Sequence, residues 1–375
     1  MGRHAEIAGA GFAGLAAAIA LRQRGWSVRV HEAAPTLRAF GAGIFIWENG
    51  LRVLGALGAR PAVEDGAFAP PAYETRTDGK SLSYQDINGA HRYRLLTMTR
   101  QHLYQALLDA ALRAGAEIHA NHEVAAATPE GELVLADGRR FRADLVVGAD
   151  GVRSRVRDSL GLKQDRKRYQ DGIIRVLTER GPLRGGAWDH IIDFWAHAPR
   201  TLRILYTPSG DNVLYMAMMA PLADPEAAAI PINPEPWISC FPALAPVLRT
   251  LSDRGRYDVY ETTKLETWSC GRVAILGDSA HAMPPTLAQG AGCAMMNALG
   301  LAVALERPEP VEDALRHWEA TERPLTDHTQ RRAAEIAASR VLASGMAWDD
   351  EGLRAALHIP TGTACGTGTP APAVR

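Results

Sequence analysis

Cysteine is scarce and unpaired in this sequence. Cys240, Cys270, Cys293 and Cys365 lie far apart with no CxxC pair, which indicates neither a disulfide framework nor a zinc site and suits a reducing, cytoplasmic setting. Charge of either sign is not in excess. The 41 Lys+Arg stand against 42 Asp+Glu, a net charge of −1 that offers no field to recruit nucleic acid or an anionic membrane. No apolar run approaches the roughly 18 residues of a membrane span, and the N-terminus carries spaced glycines rather than a signal pattern. No internal repeat is visible. What is abundant is apolar residues, 47% of 375, enough to fill two associated domains of a soluble protein acting on small molecules.

Glycine is where chemistry is legible. Residues 5–8 predict a short strand cut off by Gly9, Gly11 and Gly14, then an Ala/Leu-rich helix over 15–24, then a second strand over 27–32 ending in Glu32, 18 residues after Gly14. This is the dinucleotide-binding arrangement: the first glycine turns the chain, the second admits a pyrophosphate, the third lets helix close on strand, and the acid suits a ribose hydroxyl. The motif alone would be only a glycine-rich turn. With both strands, the helix and the acid in place it points to FAD or NAD rather than NADP. A second glycine cluster, Arg38 to Ile44, either bends the chain or passes close to a flat ligand, and a helix is expected over 47–57, stopped by Gly58.

Residues 73–94 alternate like strands. Thr99 is the expected N-cap of a helix running to Arg113 and ended by Gly115. Arg100 falls in its first turn, where a cation opposes the helix dipole and needs a phosphate, a cofactor edge or a surface acid to favour it. Residues 117–138 carry hairpin signals. An apolar strand over 144–148 then reaches Asp150 and Gly151, with Arg153 and Arg155 beyond, which reads as a ribose or diphosphate site or as a capped strand-to-helix turn. The third such stretch is a buried strand over 273–276, a Gly277-Asp278 turn, a Pro284-Pro285 corner, and Gly290, Ala291 and Gly292 opening an apolar helix with bare N–H groups.

Taken in order, these three motifs resemble the single-component flavoprotein aromatic monooxygenases of the p-hydroxybenzoate hydroxylase fold group, over residues 3–330. Within that group the runs 38–44, 70–75, 260–265 and 287–295 are similar to the hydroxypyridine carboxylate oxygenases. The resemblance implies an α/β (α+β mixed) chain. A Rossmann-like FAD-binding domain would comprise 1–72, 95–160 and 263–310, and an inserted antiparallel-sheet substrate domain 73–94 and 161–262. C-terminal helices over 311–345 and a disordered tail over 360–375 would follow. It implies noncovalent FAD contacted by Gly9, Gly11, Phe12, Ala13, Gly14, Glu32, Arg38, Gly43, Arg100, Asp150, Asp278, Pro285, Gly290, Ala291 and Gly292, with Pro284 and Pro285 facing the isoalloxazine. NADH or NADPH would be the reductant and O2 would be activated as a flavin C4a-hydroperoxide. The substrate would be a small hydroxylated aromatic or heteroaromatic acid, such as a 3-hydroxypyridine carboxylate, with ring opening left open and a homodimer compatible.

Four apolar stretches, 173–177, 190–195, 202–206 and 213–218, suit strands of the substrate domain. Arg175 and Arg203 interrupt them, and a buried guanidinium requires an anionic partner unless its head reaches water. The resemblance sets Phe45, Tyr73, Arg175, Arg203 and Tyr215 around the substrate's carboxylate and ring, with Tyr73, Arg203, Tyr215 and the two prolines nearest the chemistry. Phe45 departs from the tyrosine expected there. His281 is expected to pack at a helix start and Cys293 to fill apolar space. The alternatives are hydroxylation of another aromatic acid or a natural-product intermediate, and a regulator that binds FAD or NAD without turnover; a halogenase is disfavoured because no Trp-x-Trp-x-Ile-Pro run is present.

Overall fold

The computed structural model describes residues 2–38, 41–89, 93–251, 255–339 and 351–363. Apolar runs bounded by glycine turns form a six-stranded sheet in the order Ser269–Cys270, Val273–Ile275, Leu145–Gly148, His4–Ala8, Ser27–His31 and Glu117–His119. All neighbours are parallel except the Ser269–Cys270 pair. The central strands are buried along nearly their whole length, as parallel strands covered on both faces must be. Register then does what sequence distance conceals. Ala8 pairs with Gly148 and Gly148 with Ile275, so the three strand ends that carry Gly9, Asp150 and Asp278 lie side by side at one carboxyl edge. The helices Phe12–Arg22 and Gly290–Ala304 start from that edge and pack on each other.

The second large sheet runs Tyr257–Leu265, Gln164–Glu179, Val213–Pro221, Leu202–Pro208, Ile191–Ala196, Ala72–Thr77 and Lys80–Asp86. It is antiparallel as expected except at one place. Ala72–Thr77 pairs parallel with Ile191–Ala196, then turns at Asp78 and Gly79, both at positive φ, into its hairpin partner. Period-two alternation sorts this sheet's side chains. Ile174, Val176, Ile204, Tyr206, Met216 and Met218 point to one face, where Trp237, Phe241, Leu244 and Leu248 cover them. Tyr73, Ile173, Arg175, Arg203, Leu205, Tyr215 and Ala217 point to the other, which roofs a cavity above the first sheet's carboxyl edge.

The helix Glu48–Ala56 follows the strand Gly43–Trp47, and Arg100–Arg113 starts at the Thr99 cap, whose Oγ1 accepts from the His102 N–H at 3.1 Å. The C-terminal helix Val311–Ser339 is continuous, and the rest of the helical stretch expected to 345 lies outside the described residues. The tail expected to be disordered from 360 is packed over 360–363. Thr363 N–H donates to the Pro360 carbonyl at 3.1 Å, and Gly362 lies so close to Val303 and Leu299 that a side chain would collide. Residues 364–375 lie outside the described residues. No helix among the described residues is long and apolar enough to cross a membrane.

Candidate active site

The glycines of the first turn have three different jobs, and the packing around each separates them. Gly9 has φ 96°, and a Cβ there would stand 2.4 Å from the Ala149 carbonyl oxygen of the neighbouring strand end. At Gly14 a Cβ would stand 1.9 Å from the Gly9 carbonyl oxygen, so only glycine lets the helix close on the strand. Gly11 meets no protein atom within 4 Å of a built Cβ and lines the cavity. Its bareness serves something other than protein packing, as a pyrophosphate against a helix start requires. Glu32 accepts from the Ala10 and Ala34 N–H groups, both at 2.9 Å, which holds the acid at the mouth of this turn.

The cavity is about 310 Å³ and runs from Gly11, Phe12 and Ala13 past Gly151, Gly277 and Asp278 to Pro285, Gly290 and Ala291. Asp278 is exposed toward it, after a Gly277 held at φ 62°. Gly290–Ala304 is a 15-residue helix whose first residues open on the cavity with their N–H groups unclaimed by a side-chain cap. These features fit a dinucleotide with a flat ring: room at the pyrophosphate turn, an acid at two strand ends, and a helix N-terminus facing the ring's electron-rich edge.

Several expected cofactor contacts are placed differently. Asp150 caps the short helix Arg155–Ser159. Its oxygens accept from the N–H groups of Arg155 at 2.8 Å and Val156 at 3.2 Å, and from the hydroxyls of Ser154 and Ser279. Ser279 also accepts from the Gly151 N–H at 2.8 Å, which locks the second and third strand ends together. Pro284 is buried and only Pro285 lines the cavity. Gly292 sits against Gln289 and Asn49, where a Cβ would stand 2.8 Å from the Gln289 Oε1, so it serves packing. Gly43 lines the cavity but is small for Tyr215, whose ring would lie 2.3 Å from a Cβ there. Arg38 is exposed and does not line the cavity. His281 is buried against Trp268 and its Nε2 accepts from Asn297 Nδ2 at 3.1 Å; burial pushes its pKa down, and its role is packing.

The roof sheet brings Tyr73, Arg175, Arg203 and Tyr215 together with Ile173, Leu205, Ala217, Met219 and Tyr260, and Phe45 joins them from the strand Gly43–Trp47. Phe45 meets Tyr215 edge-on, ring centroids 6.4 Å apart. Arg100 crosses from the opposite side over the Phe12 ring at 4.8 Å. Burial lowers the Arg100 pKa, as does the neighbouring Arg175, while Asp278 acts the other way. Burial raises the pKa values of Tyr73, Tyr215 and Tyr260, so all three phenols are neutral hydrogen-bonding groups at physiological pH.

Both roof arginines already hold an acid of the chain. Arg175 Nη2 donates to Asp258 Oδ2 at 2.8 Å. Arg203 grips Asp193 bidentately, Nε to Oδ1 at 2.7 Å and Nη2 to Oδ2 at 2.9 Å, and Tyr73 donates to Oδ2 at 3.0 Å. Burial disfavours the Arg203 charge, yet Asp193 and Tyr73 outweigh it and raise its pKa. Asp193, Asp258 and Tyr260 are absent from the sequence-based site. A signal for Asp193 exists: it interrupts the apolar stretch 191–196 as the arginines interrupt theirs, two residues from Ile191 and Trp195 and hence on the same face.

The family model for the FAD binding domain matches residues 4–333. The chain belongs to that family, as an FAD-dependent aromatic monooxygenase. The tetrameric form of 2-methyl-3-hydroxypyridine-5-carboxylic acid oxygenase is 50% identical to it, with a TM-score of 0.93 over 97% of this chain and 98% of that one. The 2-heptyl-3-hydroxy-4(1H)-quinolone synthase of Mycobacteroides abscessus is 40% identical over 87% of this chain and 88% of its own length. The 3-amino-4-hydroxybenzoate 2-monooxygenase of Streptomyces cremeus is 31% identical over 88% and 86%. FAD is the cofactor of this monooxygenase fold, and the Gly11 turn and the Gly290 helix start are the parts of this chain with room to receive it.

Proposed function

We propose that the chain oxygenates a small hydroxylated heteroaromatic ring, consuming O2 and NAD(P)H and releasing NAD(P)+ and water. The observation that carries this reading is the continuity of the cavity: one space joins the dinucleotide turn at Gly11 to a wall of aromatic rings and phenols on the roof sheet. Bound FAD supplies the activation of O2. The chain contributes the rest. Gly11 and the Gly290 helix start hold the cofactor's anionic and electron-rich parts, and Asp278 takes a hydroxyl of its sugar or ribityl chain. Pro285 and Phe45 give apolar walls that keep water from the reacting face, while Tyr73, Tyr215 and Tyr260 orient ring oxygens by hydrogen bonds. A hydroxyl already on the ring supplies the electron density for attack, so no strong protein base is required. His281, neutral and outside the cavity, supplies none.

The carboxylate expected on the ring rested on Arg175 and Arg203. Asp258 and Asp193 now fill the partner role that expectation left to the substrate. Relatives of this chain are named for both kinds of ring: a pyridine carboxylic acid in one, a 3-hydroxy-4(1H)-quinolone without a carboxylate in another. The test is a panel of hydroxypyridines, 4-quinolones and hydroxybenzoates scored for substrate-stimulated NAD(P)H oxidation by the flavin-loaded enzyme, with mass spectrometry of the product. One added oxygen marks hydroxylation, and one from O2 plus one from water marks ring opening. Bound flavin without stimulation by any ring would favour a regulator that senses the cofactor.

A further inference from the structure

We infer that Asp193 is a built-in occupant of the Arg203 guanidinium, and that the ring pocket consequently selects a hydroxylated heteroaromatic carrying no carboxylate. The inference rests on the monooxygenase reading and narrows its substrate class. Arg203 lies on the cavity wall, at the place where a buried guanidinium would otherwise seek an anion from the ligand. Its Nε and Nη2 edge, one of the two edges that match a carboxylate, is taken by both oxygens of Asp193. Trp195 covers the guanidinium plane at 4.7 Å, and the Tyr73 hydroxyl fixes Asp193 from the other side. Asp193 is 3% exposed, so its carboxylate has the arginine and Tyr73 rather than water as its partners.

Acids of the chain act on the other cavity cations too. Arg175 is bonded to Asp258, and Asp278 favours the Arg100 charge against the larger opposing effects of burial and Arg175. A carboxylate brought to the far end of Arg203 would lie close to the Asp193 charge with one shared cation between them, and like-charge juxtaposition in a desolvated site is strongly unfavourable. A neutral ring meets no such opposition. It can pack on Leu205, Ala217 and Phe45 and place its hydroxyl or ring oxygen against the phenols.

The experiment titrates the flavin-loaded enzyme with 2-methyl-3-hydroxypyridine and with its 5-carboxylate, reading binding by perturbation of flavin absorbance and turnover by NAD(P)H oxidation and product mass. The expected result is that the uncarboxylated ring binds the wild-type enzyme at least about tenfold more tightly, a difference of roughly 1.4 kcal/mol. Asp193→Asn, which keeps the shape and removes the charge, should reverse that order with flavin content retained. Tighter or equal binding of the carboxylate to the wild type overturns the inference, without any variant being needed. So does an unchanged ratio in Asp193→Asn. Binding in the expected order without any oxygenated product overturns the monooxygenase reading and leaves the pocket assignment standing. Binding of neither ring overturns the inference and leaves the monooxygenase reading to the wider panel.

Discussion

Single residues in this protein are explained by what stands opposite them, and two glycines three positions apart show it. Gly14 is required by protein packing, because a methyl there would overlap the Gly9 carbonyl; Gly11 is required by nothing in the protein within 4 Å. The two should therefore fail differently. Gly14→Ala is expected to lower the thermal midpoint and the flavin content together. Gly11→Ala should leave the apoprotein's midpoint essentially unchanged while weakening FAD binding by about 1–3 kcal/mol, roughly 5- to 150-fold in Kd. Apoprotein melting and flavin titration separate the two. Equal loss of apoprotein stability in both variants would remove the assignment of Gly11 to the cofactor.

At the scale of elements, the roof sheet works because alternation lets one strand serve two environments. Ile204 and Tyr206 enter an apolar layer while Arg203 and Leu205, from the same strand, face the cavity. The C-terminal helix Val311–Ser339 supports the site from behind. Gln330 Nε2 donates to the carbonyls of Thr263 at 2.7 Å and Ala282 at 2.8 Å, and Thr286 Oγ1 donates to the Ala333 carbonyl at 2.8 Å. Ala282 and Thr286 flank the Pro284-Pro285 corner, so this helix holds the corner at both ends. Gln330→Ala takes a donor from two buried carbonyls, of which Ala282 keeps the Thr263 N–H at 3.1 Å, and should cost about 1–3 kcal/mol in urea unfolding. FAD should also bind more weakly, though residue 330 does not line the cavity. Full FAD affinity in that variant would separate the helix from the site.

For the whole molecule, the cavity has walls from both large sheets: Gly11 to Ala13 and Gly277 from one, Ile173, Arg175, Arg203 and Tyr215 from the other. Filling it should tie the two together. FAD at a hundred times its Kd stabilises the native state by about 2.7 kcal/mol, which for a chain of this size corresponds to roughly 3–4 °C in thermal midpoint. Removing the flavin should lower the midpoint by that amount, and adding FAD back should restore it. An unchanged midpoint would mean that the cofactor does not bridge the sheets.

The sequence alone was sufficient for the family, the glycine turn after the first strand and the strand pattern of the roof, because each is written locally: glycine spacing, an acid at a strand end, period-two alternation, a threonine cap. It was not sufficient for deciding between two local readings of one residue. Asp150 reads equally well as a ribose ligand or as a helix cap, and only the folded chain shows its carboxylate on the Arg155 and Val156 N–H groups. Arg203 announced that it needs an anion, but ten residues of chain and a strand register separate it from Asp193, which answers that need. Partnership of buried charges depends on which strands lie next to each other and in what register. That is a property of the assembled sheet, and it is what gives Arg203 its anionic partner from within the chain.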